Sequence, residues 1–297
     1  MPTAIEYWPP PSAEYVVDPA ATNARLGYPP DARLLIVNAD DFGMCHAANA
    51  ATIQAMRDGI VTSTTVMAPC PWARHALRLL AENPHLPFGI HLTLIAEHTD
   101  YRWGPLAPRE SVPSLVDASG CFHGQDQRDA LLARAVLDEV EIEFRAQIAM
   151  VLATGLMPTH LDWHCLDAGG RPDIFALSLA LAQEFGLALR VDAPASAERA
   201  RQAGFITSNH GVLDSYSLAT ANKSAQYVAL LRDLPVGLSE WAAHPSLGDA
   251  EAQAMEPDEW QVRKADFDFL ISSQAQETIA EEGIVLVDFR ALQPETA

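Results

Sequence analysis

Short apolar blocks alternate with longer helical stretches along most of the chain. Leu34, Leu35, Ile36 and Val37 form a continuous apolar run suited to a strand buried on both faces. The alanine-rich stretch 46–57 predicts a helix, stopped by Asp58-Gly59. Residues 60–68 are β-branched and read as a second strand. Pro71 opens a helix through Glu82, and 88–95 (FGIHLTLI) reads as a third strand. Residues 96–127 carry Trp103, Pro105, Pro108 and Pro113 and predict a long functional or disordered loop. A long helix over 128–153 follows, then a strand over 159–164, a helix over 173–185 ended by Gly186, and a strand over 187–191. Further strands are expected near 205–207, over 236–244 and over 284–289, with helices over 223–231 and 257–279.

This alternation implies a parallel sheet with helical crossovers. The seven or eight units predict a single α/β domain over 33–297, a distorted (β/α) barrel, closed or nearly closed. No internal repeat or domain boundary interrupts it. Residues 1–32 are rich in proline and alanine and read as an extended arm over the surface, not an element of the fold. Tyr7, Trp8 and Tyr15 suggest that the arm docks on something, which leaves room for a homodimer; the alternative is a floppy tail.

Composition narrows the function. The chain is 49% hydrophobic and 20% charged, enough apolar residues for a full core. Its net charge of −20 argues against a nucleic-acid partner, because nothing basic accumulates to neutralise phosphates. Cys45, Cys70, Cys121 and Cys165 are scattered, as in a reducing compartment. No apolar run reaches membrane-spanning length and no secretory leader is evident, so a cytoplasmic protein without a membrane partner is expected.

The first strand runs into Asn38, Asp40, Asp41 and Gly43. Adjacent carboxylates at the mouth of a buried strand repel, and a cation or proton between them relieves this. Neighbouring strand residues face opposite ways, so both can serve one site only where the chain is turning, as Gly43 permits. An Asp-rich loop capping the next helix is the plainer alternative. Other strand ends add His91, the set His160, Asp162 and His164, then Arg190 with Asp192, and His244-Pro245. Each histidine alone could be a core residue; histidines converging with an Asp pair point to a metal. His164 is nearest its strand end and is the natural ligand. Asp162 on the same face either orients it or is a buried carboxylate satisfied by backbone amides. Trp163 then points away or onto a loop covering substrate.

The segments LLIVNADDFG (34–43), RDGIVTSTTVM (57–67), GIHLTL (89–94) and PTHLDWH (158–164) resemble the YdjC-like carbohydrate deacetylases, of which the chitooligosaccharide deacetylases are the best-described branch. The likeness covers about 33–290. It implies a barrel related to the polysaccharide deacetylases, one divalent metal, and removal of an N-acetyl group from a sugar. By motif, Asp41, His91 and His164 become metal ligands, Asp40 the catalytic base and His244 a candidate general acid. Arg190 either holds Asp40 ionised and aimed or forms an ordinary salt bridge. Two departures bear on substrate: Cys165-Leu166-Asp167 replaces further histidines, and Ser246 replaces a glycine after His244-Pro245. The mixed ligand set leaves zinc and magnesium both open. The rival readings are a sugar-binding relative that no longer cuts and a two-histidine, one-carboxylate iron oxygenase.

Overall fold

A computed structural model describes residues 18–294. In order these form α1 (Pro19–Arg25), β1 (Arg33–Phe42), α2 (His46–Asp58), β2 (Ser63–Val66), α3 (Ala73–Glu82) and β3 (Phe88–Leu92). Then come α4 (Arg128–Arg134), α5 (Leu137–Leu152), β4 (His160–Trp163), α6 (Pro172–Phe185), β5 (Ala188–Leu189), α7 (Pro194–Gln202) and β6 (Val212–Asp214). The last third holds α8 (Lys223–Arg232), β7 (Gly237–Ala243), α9 (Ala250–Met255), α10 (Trp260–Leu270), α11 (Ser273–Glu281) and β8 (Val285–Leu286).

All named strands pair in parallel, in the order β5-β4-β3-β2-β1-β7-β6, with β8 added against β1. Among the described residues β5 and β6 do not pair, so the barrel is open on that side. The sheet is nonetheless strongly rolled. Arg190, just past β5, reaches Asp40 on β1 at 2.7 Å. Four flat strand spacings would separate those strands by about 19 Å.

Alternation along β1 sets the two sides. Leu35, Val37 and Ala39 face outward with Trp241 against Tyr227, Phe269 and Ile279 of the helical layer. Leu34 and Ile36 face inward with Leu238, Ala188 and Phe289, closing the floor of the barrel. One step higher the inward positions turn polar: Asn38, Asp40 and Glu240 are all buried. His160 belongs to the floor. Its ring stacks on Phe289 at 3.5 Å and its Nδ1 meets the Thr159 hydroxyl at 2.9 Å. Burial, with Arg190 nearby, holds it well below the usual histidine range. Gly89 leaves the space for this ring: a Cβ there would lie 2.5 Å from it. Gly89→Ala should therefore cost about 1–3 kcal/mol of stability, read by denaturant unfolding. An unchanged midpoint would mean that the stacked ring has room to move.

Several sequence expectations are corrected. The segment 18–32 is part of the fold and not an arm: α1 lies against β7, and Asn209 donates to the Thr22 hydroxyl at 2.9 Å. Tyr7, Trp8 and Tyr15 lie outside the described residues. The expected helix over 128–153 breaks at Ala135 and Val136, which are extended. The helix expected over 257–279 is two, α10 and α11, with the Ser272 side chain capping the second. The strand expected near 205–207 is irregular chain; β6 lies at Val212–Asp214 instead. The long loop over 96–127 is ordered by short bridges, Ile95 to His123 and Val116 to Phe122. The helices α1, α7 and α9 carried no clear periodic signal because each is short. Among the described residues, no helix is long and apolar enough to cross a membrane.

Candidate active site and metal centre

A cleft of about 850 Å³ opens at the C-terminal strand ends, lined among others by Asp40, Asp41, His91, His164, Arg190 and His244. Two neighbouring carboxylates reach it because the strand is distorted. The β1–β2 register shifts between Ala39 and Phe42, and Asp41 itself takes a left-handed φ of 65°. That conformation is uncommon outside glycine, and Asp tolerates it better than most side chains. Gly43 has a φ of 103° and completes the turn.

From there the two carboxylates diverge. Asp41 Oδ1 lies 3.1 Å from His164 Nδ1 and 3.4 Å from His91 Nε2, while Arg263 donates to its Oδ2 at 2.7 Å. Asp40 is gripped by both terminal nitrogens of Arg190, at 2.7 and 2.9 Å, and accepts from Asn38 at 2.7 Å. Burial opposes the charge on Asp40, but Arg190, His91 and His244 outweigh it and hold the carboxyl well below the usual range. Asp41 is held low in the same way, against burial, by Arg263 and the two histidines.

The donor set fits a divalent ion. Donors about 2.0–2.2 Å from one centre stand roughly 3–3.5 Å apart; Asp41 Oδ1 stands so from both imidazole nitrogens, and the three donor atoms all lie within 4.8 Å of one another. Their charge also asks for one. Asp40, Asp41, Glu97, Asp162 and Glu256 carry more negative charge than Arg190 and Arg263 return. The imidazoles respond accordingly. Burial disfavours a charge on His91, yet Asp162, Asp41 and Asp40 push it up to about 9. His164 is likewise raised, against burial, by Cys165, Glu97 and Asp41.

Asp162 does not meet His164. It faces His91, whose Nδ1 is 2.7 Å from Oδ1, and its Oδ2 pairs with Arg190 at 2.9 Å. His164 Nε2 instead meets Glu97 Oε2 at 2.7 Å and Cys165 Sγ at 3.4 Å. Each of these two imidazoles thus faces a carboxylate on its other nitrogen, as metal-binding histidines commonly do. Trp163 turns outward and donates to Ser178 at 3.0 Å, though its edge lines the cleft. His244 Nε2 stands 3.9 Å from Asp40 Oδ2, its ring edge-on to Tyr216 at 4.8 Å. Asp192 is at the cleft wall, pushed up to about 6 by burial and by Asp167.

Sequence reasoning missed Glu97, Glu240, Glu256 and Arg263. Glu240 left a signal: a lone carboxylate in the buried strand LSEWAA, facing the same way as His244. It shares Arg190 with Asp40 and Asp162, and burial pushes it up to about 7 despite that arginine. Between about pH 4.5 and about 7 the folded protein therefore binds this proton more tightly than the unfolded chain. Stability contributed by this group falls as pH rises through that window. Glu240→Gln should flatten the decline in melting temperature of chelated protein over it. Parallel curves for wild type and variant would discount the protonated carboxyl.

The YdjC-like protein family model matches residues 34–281. A carbohydrate deacetylase from Brevibacillus brevis is 33% identical over 261 residues, covering 87% of this chain and 99% of its own. A chitooligosaccharide deacetylase from Serratia marcescens is 32% identical over 275 residues, covering 88% and 99%. A solved Enterococcus faecalis V583 protein, EF3048, named for cellobiose-phosphate cleavage, superposes with a TM-score of 0.78 at 29% identity. It covers 89% of this chain and 100% of its own. Four segments of characteristic sequence, one curled parallel sheet and these full-length relatives agree: the chain belongs to the YdjC-like family.

Proposed function

We propose that the protein is a metal-dependent hydrolase that removes an N-acetyl group from an amino sugar or an N-acetylglucosamine-containing oligosaccharide. One observation carries the reading: Asp40 and Asp41 share a cleft but engage different partners. The names of the relatives supply the substrate class. Asp41, His91 and His164 would hold the ion, zinc or magnesium. When bound, it would polarise the acetyl carbonyl and acidify a water.

The remaining work falls to side chains. Asp40, ionised and aimed by Arg190, takes the proton from the attacking water. His244 delivers a proton to the departing amine nitrogen, which is otherwise a very poor leaving group. Its position 3.9 Å from Asp40 suits an acid and a base flanking one reacting centre. Acetate release from N-acetylglucosamine oligomers tests the reading. Adding a divalent metal to chelated protein should restore release. Sugar binding without release under any metal would identify a binding protein instead.

A further inference from the structure

The turn that delivers Asp41 to the cleft is braced by residues outside it. A left-handed aspartate persists only where its surroundings over-determine it. The backbone supplies part of that hold. Met44 N–H donates to the Asp41 carbonyl at 3.1 Å, Met67 N–H to Phe42 at 2.8 Å and Trp72 N–H to Gly43 at 3.1 Å. The Gly43 N–H is held differently: it donates to a side chain, Asn49 Oδ1 in the first turn of α2, at 2.6 Å. Asn49 is fully buried. Its Nδ2 lies 3.2 Å from the Trp72 carbonyl and 3.0 Å from Nδ1 of His75, in the first turn of α3. Neither Asn49 nor His75 lines the cleft.

These partners allow one orientation of the amide. Turned over, it would set its NH2 against the Gly43 N–H and its oxygen against the Trp72 carbonyl, donor to donor and acceptor to acceptor. Nδ2 therefore faces His75, and an amide nitrogen only donates. Its second hydrogen goes to His75 Nδ1, which must be bare, so the neutral ring carries its own hydrogen on Nε2. Burial, with Arg78 and His46, holds His75 below the usual histidine range, so above neutral pH the ring is uncharged and can accept. An edge-on contact with Trp72 at 5.2 Å steadies it. We infer that Asn49, held in one orientation by Trp72 and His75, fixes the turn at Gly43 and thereby aims Asp41 at the ion. Asn49 and His75 are positioning residues. They touch neither substrate nor metal.

The inference rests on the proposed role of Asp41 as a ligand. Its readout is ion binding, so it is decided even if the protein releases no acetate. Zinc affinity of chelated protein is measured by competition with a chromophoric chelator. Asn49→Leu keeps the shape but leaves the Gly43 N–H unpaired, and it should lower the affinity roughly tenfold to hundredfold. Asn49→Asp offers Gly43 the same oxygen and should restore most of the affinity. Its second oxygen replaces the NH2, so His75 should then take up a proton on Nδ1, seen in ¹⁵N spectra. In the wild type at alkaline pH the same spectra should show Nδ1 bare, the signal assigned by its absence in His75→Gln. Should Asn49→Leu fail to fold, the half-buried His75 carries the test. His75→Phe should lower the affinity severalfold, and His75→Gln, whose carbonyl can accept from Nδ2, should restore it. Unchanged zinc affinity in folded Asn49→Leu, or in His75→Phe where that variant fails, would overturn the inference. So would a proton on His75 Nδ1 in the wild type at alkaline pH. Zinc held no more tightly by the wild type than by Asp41→Asn would refute the ligand assignment itself, and the inference with it.

Discussion

Asp40→Asn should keep its metal, still bind acetylated sugar, and lose roughly a hundredfold to ten-thousandfold in turnover. The substitution preserves shape and leaves one oxygen as an acceptor. Arg190 would not be stranded by the lost charge, because Asp162 and Glu240 remain beside it. Folding should therefore survive, and the deficit can be read as chemistry. What asparagine cannot do is accept a proton from water. Residual turnover is expected from the water-activating ion. Turnover and metal content must be taken on one preparation. Near-normal deacetylation would sink the base assignment. Metal lost with activity would make Asp40 a ligand, an arrangement for which Asp40, His91 and Asp162 stand close enough together.

Asp41→Asn, His91→Ala and His164→Ala should each release the ion and abolish activity together. Asparagine is the right replacement at 41, because the φ of 65° there would strain alanine. Removing that carboxylate also leaves Arg263 facing the vacated position with only Glu256 as its anion. That guanidinium, relieved of one of its two anions, would further repel a cation. Elemental analysis is the readout, and stoichiometric metal in all three variants would refute the ligand assignment. Glu97→Gln offers a graded control. It leaves the ligands in place and removes only the carboxylate facing His164, so affinity should fall roughly tenfold to hundredfold.

The parts legible in the sequence were those written locally. The apolar run at Leu34, the turn around Gly43 and the polar residues at strand ends each depend on a few adjacent positions, and they placed the Asp pair and its histidines. What escaped was set by tertiary contact. Arg263 sits in the middle of a helix, and nothing in VRKADFDFL marks it as the partner of a carboxylate at the other end of the chain. Glu97 follows a strand by a few residues in an irregular loop, without periodicity to place it. Alternation puts Asp162 on one face with His164, but neither orienting His164 nor satisfaction by backbone amides describes its partners, which are His91 and Arg190. Parallel register puts it beside His91 of the neighbouring strand, and only pairing fixes register. The barrel opening had the same cause, since β5 and β6 are too short to announce whether they meet.

The bond between Arg263 and Asp41 joins residues 222 positions apart in a chain of 297. β1, at the centre of the sheet, takes β7 and β8 as partners, both near the far end. On a ribosome adding roughly 5–20 residues per second, Asp41 waits about ten to forty-five seconds for Arg263 to be made. For most of that interval β1 lacks two of its three strand partners, β7 and β8. A stalled or truncated product ending before β7 would present Leu34 to Val37 without the strands that flank them in the finished sheet.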